Sequence, residues 1–221
     1  MKEKYFSKSN LSSICDEFIK HCSHNSRIDI NILDWQNTAL LILDMQQYFL
    51  NPPSHAFVPS SPFIVPKLIA LANLFQMKNL PVFCTRHVNK DGYDGLMSNW
   101  WKELIVESHK ESMLIPEIQD FDFPVYHKQE YDAFYETALK EDLNKQGIKT
   151  LVITGVMTHL CVETTVRSAF IRGFQPILPV DGTATYNENF HKASLTNLSH
   201  GFAVITTMDK LIDGLSAELN A

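Results

Sequence analysis

Six short apolar runs recur along this chain: TALLILD, PVFCT, PVYHK, KTLVITG, QPILPV and GFAVITT. A run of this length with almost no polar interruption suits a strand that is covered on both faces, and most of these runs are separated by segments of helical period. Parallel strands need crossover connections, and right-handed crossovers lay helices on the two faces of the sheet. The pattern predicts a three-layer α/β/α sandwich built on a six-stranded, mainly parallel, Rossmann-like sheet. A (β/α)8 barrel would require eight strands.

Helices are expected over 64–77, stopped by Asn79 and Pro81, and over about 133–146, closed by Gly147. CVETTVRSAFIRG, ending at Gly173, the segment 187–199 and MDKLIDGLSAEL supply the later ones. Leu11, Ile14, Cys15, Phe18, Ile19 and Cys22 recur at helical spacing after Asn10, a candidate cap. The chain reads as one domain, 1–221, with a helical extension at about 1–36 appended to its N-terminal end.

Composition narrows the function. Hydrophobic residues at 45% and charged residues at 20% give a soluble globular chain enough apolar material for a sizeable core. A formal charge of −6, with its 19 basic residues scattered, excludes a nucleic-acid footprint. No stretch of 18 apolar residues would span a membrane. Four cysteines at irregular spacings, with no CxxC pair, fit a reducing compartment and a cytoplasmic location. The chain has neither GxGxxG nor GxxxxGK[ST], so nucleotide binding loses its usual motifs.

In open parallel sheets, ligands bind outside the carboxyl ends of the strands. Asp44 ends the first run, Lys128 ends PVYHK, and Cys161 follows KTLVITG at the start of a helix. Singly, each has a plain explanation: a turn or cap aspartate, a solvated lysine, a packed thiol. Together they bring a base, a cation and a nucleophile to one edge. His159, two residues before Cys161, reads as a structural hydrogen-bonding residue rather than a dyad partner.

Three stretches, LLILDMQQYF, KQEYDAF and GVMTHLCVETTVRSAFIRGF, resemble the motifs of the isochorismatase-like cysteine hydrolases, and the likeness runs from about residue 37 onward. The resemblance implies an isochorismatase-like fold with a catalytic triad of Asp44, Lys128 and Cys161. In it Asp44 takes the thiol proton and the Lys128 ammonium steadies the thiolate. It also implies an oxyanion hole from the backbone N–H groups of Met157 and Cys161, a cis peptide at Val156–Met157, no cofactor, and a homo-oligomer, dimer or tetramer.

Gln46, in the first motif, joins the candidate substrate-binding residues. Arg86 and His87, at the end of PVFCTRH, are placed to hold a substrate carboxylate. Trp100, Trp101, Tyr131 and Phe134 form a candidate aromatic lid and wall, with core packing the alternative for Phe134 and one tryptophan. Nicotinamidases of this family hold a metal through an Asp-x-His pair and a further histidine. That pair is missing here, so no metal is expected, and His55 and His87 read as unmatched loop histidines.

Cys161 favours cleavage of an amide or carbamoyl C–N bond of a small molecule through a thioester. DMQQYF and the N-terminal extension lie closer to isochorismatases, which hydrolyse a vinyl ether with the aspartate as acid. A catalytically idle binding or assembly module is the third reading.

Overall fold

The computed structural model describes residues 1–22, 33–93 and 95–217. Its sheet is parallel, in the order β3-β2-β1-β4-β5-β7, with β6 paired to β4. The strands are β1 (Thr38–Leu43), β2 (Val82–His87), β3 (Val125–Lys128), β4 (Thr150–Val156), β5 (Gln175–Pro179), β6 (Thr183–Ala184) and β7 (Val204–Thr206). The six expected strands are present. The seventh, β6, is two residues long and has no hydrophobic run to announce it in the sequence.

Every residue of β1, β2 and β4 is buried, as fits strands covered on both faces. The edge strand β3 is largely exposed, apart from Lys128.

The longer helices are α1 (Leu11–His21), α2 (Ser61–Met77), α3 (Leu139–Lys145), α4 (Glu163–Ile171), α5 (Glu188–Gly201) and α6 (Met208–Ala217). Strand order grows one way from β1 through β2 to β3 and the other way from β4 through β5 to β7. Right-handed crossovers therefore set α2 on one face and α4 and α5 on the other. α6 packs on α2, and α4 packs on α5.

The helix expected over 133–146 is shorter, beginning at Leu139, because 133–138 form turns. Asp132 Oδ1 accepts the Phe134 N–H (2.9 Å), and Thr165 Oγ1 accepts that of Ala133 (3.1 Å), which diverts this stretch from helical bonding. Its far end closes as expected. Gly147 adopts φ +71°, and Ile148 N–H donates to Leu143 O (3.0 Å). Asn79 stops α2 in the same way, with φ +54° and Leu80 N–H on Phe75 O (2.8 Å).

Two expectations for the N-terminal end are corrected. Asn10 does not cap α1 with its side chain; its Oδ1 accepts from Ser7 N–H (2.7 Å), steadying the turn before the helix. Nor is this segment an appendage: Tyr5, Phe6 and Phe18 are buried and enclose His191 of α5. Part of the predicted extension, 23–32, lies outside the described residues.

Candidate active site

The strand order reverses between β1 and β4, and a crevice opens there at the carboxyl ends of the strands. Asp44 follows β1. Its backbone turns into the left-handed region, φ +52°, which is uncommon for a residue with a side chain and is held here by neighbours. Thr85 of β2 donates its hydroxyl to Asp44 Oδ1 (2.6 Å), and Asp44 N–H points back to Thr85 Oγ1 (3.2 Å). The carboxylate is thereby aimed along the sheet edge.

Lys128, the last residue of β3, is as deeply buried as Asp44, and its Nζ lies 2.7 Å from Asp44 Oδ2. The same ammonium donates to Glu130 O (3.1 Å) and to Cys161 Sγ (3.3 Å), which occupies its three protons. His87 Nδ1 lies slightly farther off, at 3.5 Å.

Cys161 arrives from β4. Gly155 pairs with Leu43 of β1 at φ +106°, and a Cβ there would stand 2.1 Å from Leu43 O, so only glycine permits this approach. The Val156–Met157 peptide is cis, and a single π-helical turn, Thr158–Val162, carries Cys161 into α4. Thr158 is tied to His191 Nδ1 (3.0 Å). His159 hydrogen-bonds Thr185 and stacks on Phe190, leaving its ring engaged away from the thiol.

The electrostatics follow from burial and pairing. Burial opposes charge on Asp44, but Lys128, His87 and the Thr85 hydroxyl together outweigh it and hold the carboxyl below its ordinary range. Lys128 is likewise disfavoured by burial, yet Asp44 and Cys161 raise it above the ordinary lysine value. Burial pushes the Cys161 thiol up to about 12, against the pull of Lys128. At rest the site therefore holds the Asp44–Lys128 ion pair and a neutral thiol. His87 is pushed down to about 4 by burial and then by Lys128, so its imidazole is neutral.

Of Asp44, Lys128 and Cys161, the cysteine borders a cavity of about 140 Å³. Cys161, Met157, His87, Trp101 and Tyr131 of the expected set line it, with Trp101 Nε1 donating to Tyr131 Oη (2.8 Å). Sequence reasoning missed Tyr48, Glu103 and Tyr186, which complete its wall, the first from the single helical turn Gln47–Leu50 and the other two from loops without periodicity. His55, read as unmatched, stands at this wall between Tyr48 Oη (3.2 Å) and Glu103 Oε1 (3.0 Å). A larger depression, about 660 Å³, borders Lys128 from the β3 side but does not reach Cys161. The smaller cavity is the one that reaches the Cys161 thiol.

Four expected substrate contacts lie elsewhere. Arg86 alternates with His87 along β2 and so faces away, donating to Ser112 O (2.9 Å) and Glu107 (2.9 Å). Trp100, on the outer side of a single helical turn, is 80% exposed. Phe134 is buried and stacks on Phe174. Gln46 is consumed as a backbone clamp: its Oε1 accepts His87 N–H (2.8 Å) and its Nε2 donates to His87 O (3.0 Å) and Ser112 O (2.7 Å). Among the described residues, no group of three His, Cys, Asp or Glu could hold a metal ion.

Residues 38–210 match the model of the isochorismatase domain. Nicotinamidase 3 of Arabidopsis thaliana is 39% identical over 178 residues, covering 78% of this chain and 86% of that protein. Enterobactin synthase component B of Escherichia coli is 29% identical over 172 residues, 75% of this chain, which spans 60% of that longer relative. A crystal structure of a cysteine hydrolase from Pseudomonas syringae pv. phaseolicola shares the fold with a TM-score of 0.80, at 23% identity over 84% of this chain and 95% of that one. With the domain match covering most of its length, the chain belongs to the isochorismatase family of hydrolases.

Proposed function

We propose that this hydrolase cleaves the C–N bond of a small planar amide, with nicotinamide the first candidate, through a thioester on Cys161. The carrying observation is the buried trio in which Lys128 Nζ reaches both Asp44 Oδ2 (2.7 Å) and Cys161 Sγ (3.3 Å) beside an aromatic-walled cavity. The nicotinamidase likeness supports the choice of amide.

Asp44 removes the Sγ proton as sulfur adds to the amide carbon, so the neutral thiol becomes nucleophilic only as it attacks. Lys128 remains cationic and offsets the charge arising on sulfur. The backbone N–H groups of Met157 and Cys161 receive the oxyanion. Collapse breaks the C–N bond, and protonated Asp44 delivers its proton to the leaving amine. Asp44, ionised again, deprotonates a water that attacks the thioester; the acid product leaves and the proton returns to sulfur.

Hydrolysis of isochorismate is the competing chemistry, supported by the likeness to the enterobactin synthase component. It calls for Asp44 as a proton donor at the outset, and pairing with Lys128 favours the ionised form instead. Ammonia release from nicotinamide tests the proposal. The native chain should release ammonia, and Cys161→Ala should lose at least about 10³-fold in kcat/KM. Consumption of isochorismate with Cys161→Ala still active would sink it.

A further inference from the structure

The isochorismatase match begins at residue 38, yet the chain's first residues bond to residues that line the candidate cavity. Tyr5 and Phe6 both donate their N–H groups to Ser60 Oγ (3.0 and 3.1 Å), and Tyr5 Oη accepts Thr185 N–H (3.0 Å). These bonds anchor the segment before α1. Ahead of the anchor, Glu3 N–H donates to Tyr186 O (2.8 Å), and Glu3 Oε1 accepts Glu188 N–H (2.8 Å). Lys2 Nζ donates to His55 O and lies 4.4 Å from the centre of the Tyr186 ring.

Tyr186 follows β6, whereas His55 belongs to the loop between β1 and α2, and both line the cavity. The segment thus ties two separate loops together at the wall of one site. His55 in turn touches Tyr48 and Glu103, so the tie extends to the side chains facing it.

We propose that Lys2 and Glu3 are specificity-determining residues: by holding the His55 loop and Tyr186 together, they fix the width of the cavity mouth and restrict the site to compact planar ligands. The inference rests on the amidase reading only for the identity of those ligands as amides. Lys2 and Glu3 are themselves exposed, and their effect comes from the two loops they join. Backbone bonding by Glu3 and burial of Phe6 keep the segment seated, so substitution of the two side chains loosens the mouth without removing the strap.

The test measures alkylation of Cys161 by iodoacetamide and by the bulky reagent N-pyrenylmaleimide, in the full chain and in its Lys2→Ala, Glu3→Ala double variant. Peptide mass spectrometry reads each thiol separately. The pyrenyl rate relative to the iodoacetamide rate should rise about five-fold in the variant as the loops part. An unchanged ratio overturns the inference. An equal rise in both rates also overturns it, because the strap would then steady the nucleophile turn rather than set the width of the mouth. Labelling of Cys15, Cys22 and Cys84 would mark general unfolding, and the single variant Lys2→Ala then carries the same comparison. Both reagents probe the cavity whether or not amides are turned over, so failure of the amidase reading is a separate result.

Discussion

Lys128 Nζ and Asp44 Oδ2 lie 2.7 Å apart with neither side chain exposed to solvent. A buried pair of this kind is costly to break, because removal of one partner strands the other charge. Lys128→Met should therefore destabilise the fold by about 3–5 kcal/mol as well as abolish activity. Urea unfolding at neutral pH measures the first effect, and a loss below 1 kcal/mol would mean that the pair is solvated in solution.

The same pair sets a pH signature. The Asp44 carboxyl is lower in the folded chain than its ordinary value of 3.8, so its contribution to stability is complete above that pH. It is lost as pH falls through the still lower folded value. Lys128 is raised above 10.5, so its contribution is present below that pH and is lost as pH rises through the folded value. Melting temperatures of Asp44→Asn should be lower than native ones at pH 7, with the gap closing at the acid end. A constant gap down to pH 2.5 would contradict the assignment.

For the thiol, a value near 12 predicts that alkylation of Cys161 in the free protein keeps rising through pH 9 with no plateau near the ordinary value of 9.0. Cys15 and Cys84, also pushed up to about 12 by burial, are internal references. A plateau below pH 8 would identify a resting thiolate and remove Asp44 from its role as base.

Gln46→Glu keeps the length of the side chain but not its two donors. Glutamate would point oxygen at His87 O and Ser112 O, where Gln46 Nε2 now donates at 3.0 and 2.7 Å. Each buried carbonyl left unpaired costs about 1–3 kcal/mol, so the variant should be less stable than native and slower through a displaced His87. Calorimetry with steady-state kinetics checks both. Native stability together with a raised KM alone would restore Gln46 to direct substrate contact.

Gly155→Ala meets Leu43 O at 2.1 Å and a backbone at φ +106° that side chains rarely adopt. A penalty of about 3 kcal/mol is expected, and at roughly 2–4 °C per kcal/mol it appears as a drop of about 6–12 °C in Tm. An unshifted Tm would mean that β1 and β4 separate at little cost.

The sheet, and the meeting of Asp44 with Cys161 at its edge, were legible in the sequence for one physical reason: strands buried on both faces leave continuous apolar runs, and the carboxyl ends of parallel strands lie together. TALLILD and KTLVITG located Asp44 and Cys161 on this basis. Side-chain direction was less legible. Arg86 and His87 are adjacent, but the two-residue period of β2 sends them to opposite sides, and the sequence does not say which side is the cavity. Gln46 was misassigned because a carboxamide that bonds backbone has no distinct composition. Tyr48 comes from a helical turn too short to show a period, and Glu103 and Tyr186 from irregular loops, whose paths depend on contacts that periodicity does not encode. Asn10 shows the limit of capping rules: a competing turn took its side-chain oxygen.

The meeting of β1 and β4 at the reversal of strand order also governs when the site can exist. Asp44, Lys128 and Cys161 reach one point only after strands from both halves of the chain have paired, and no local segment contains two of them in working proximity. In a nascent or unfolded chain, Cys161 is an ordinary thiol with neither Asp44 nor Lys128 beside it. The arrangement is consequently a property of the completed sheet, and the proposed activity should return on refolding only with long-range strand pairing, not with early helix formation.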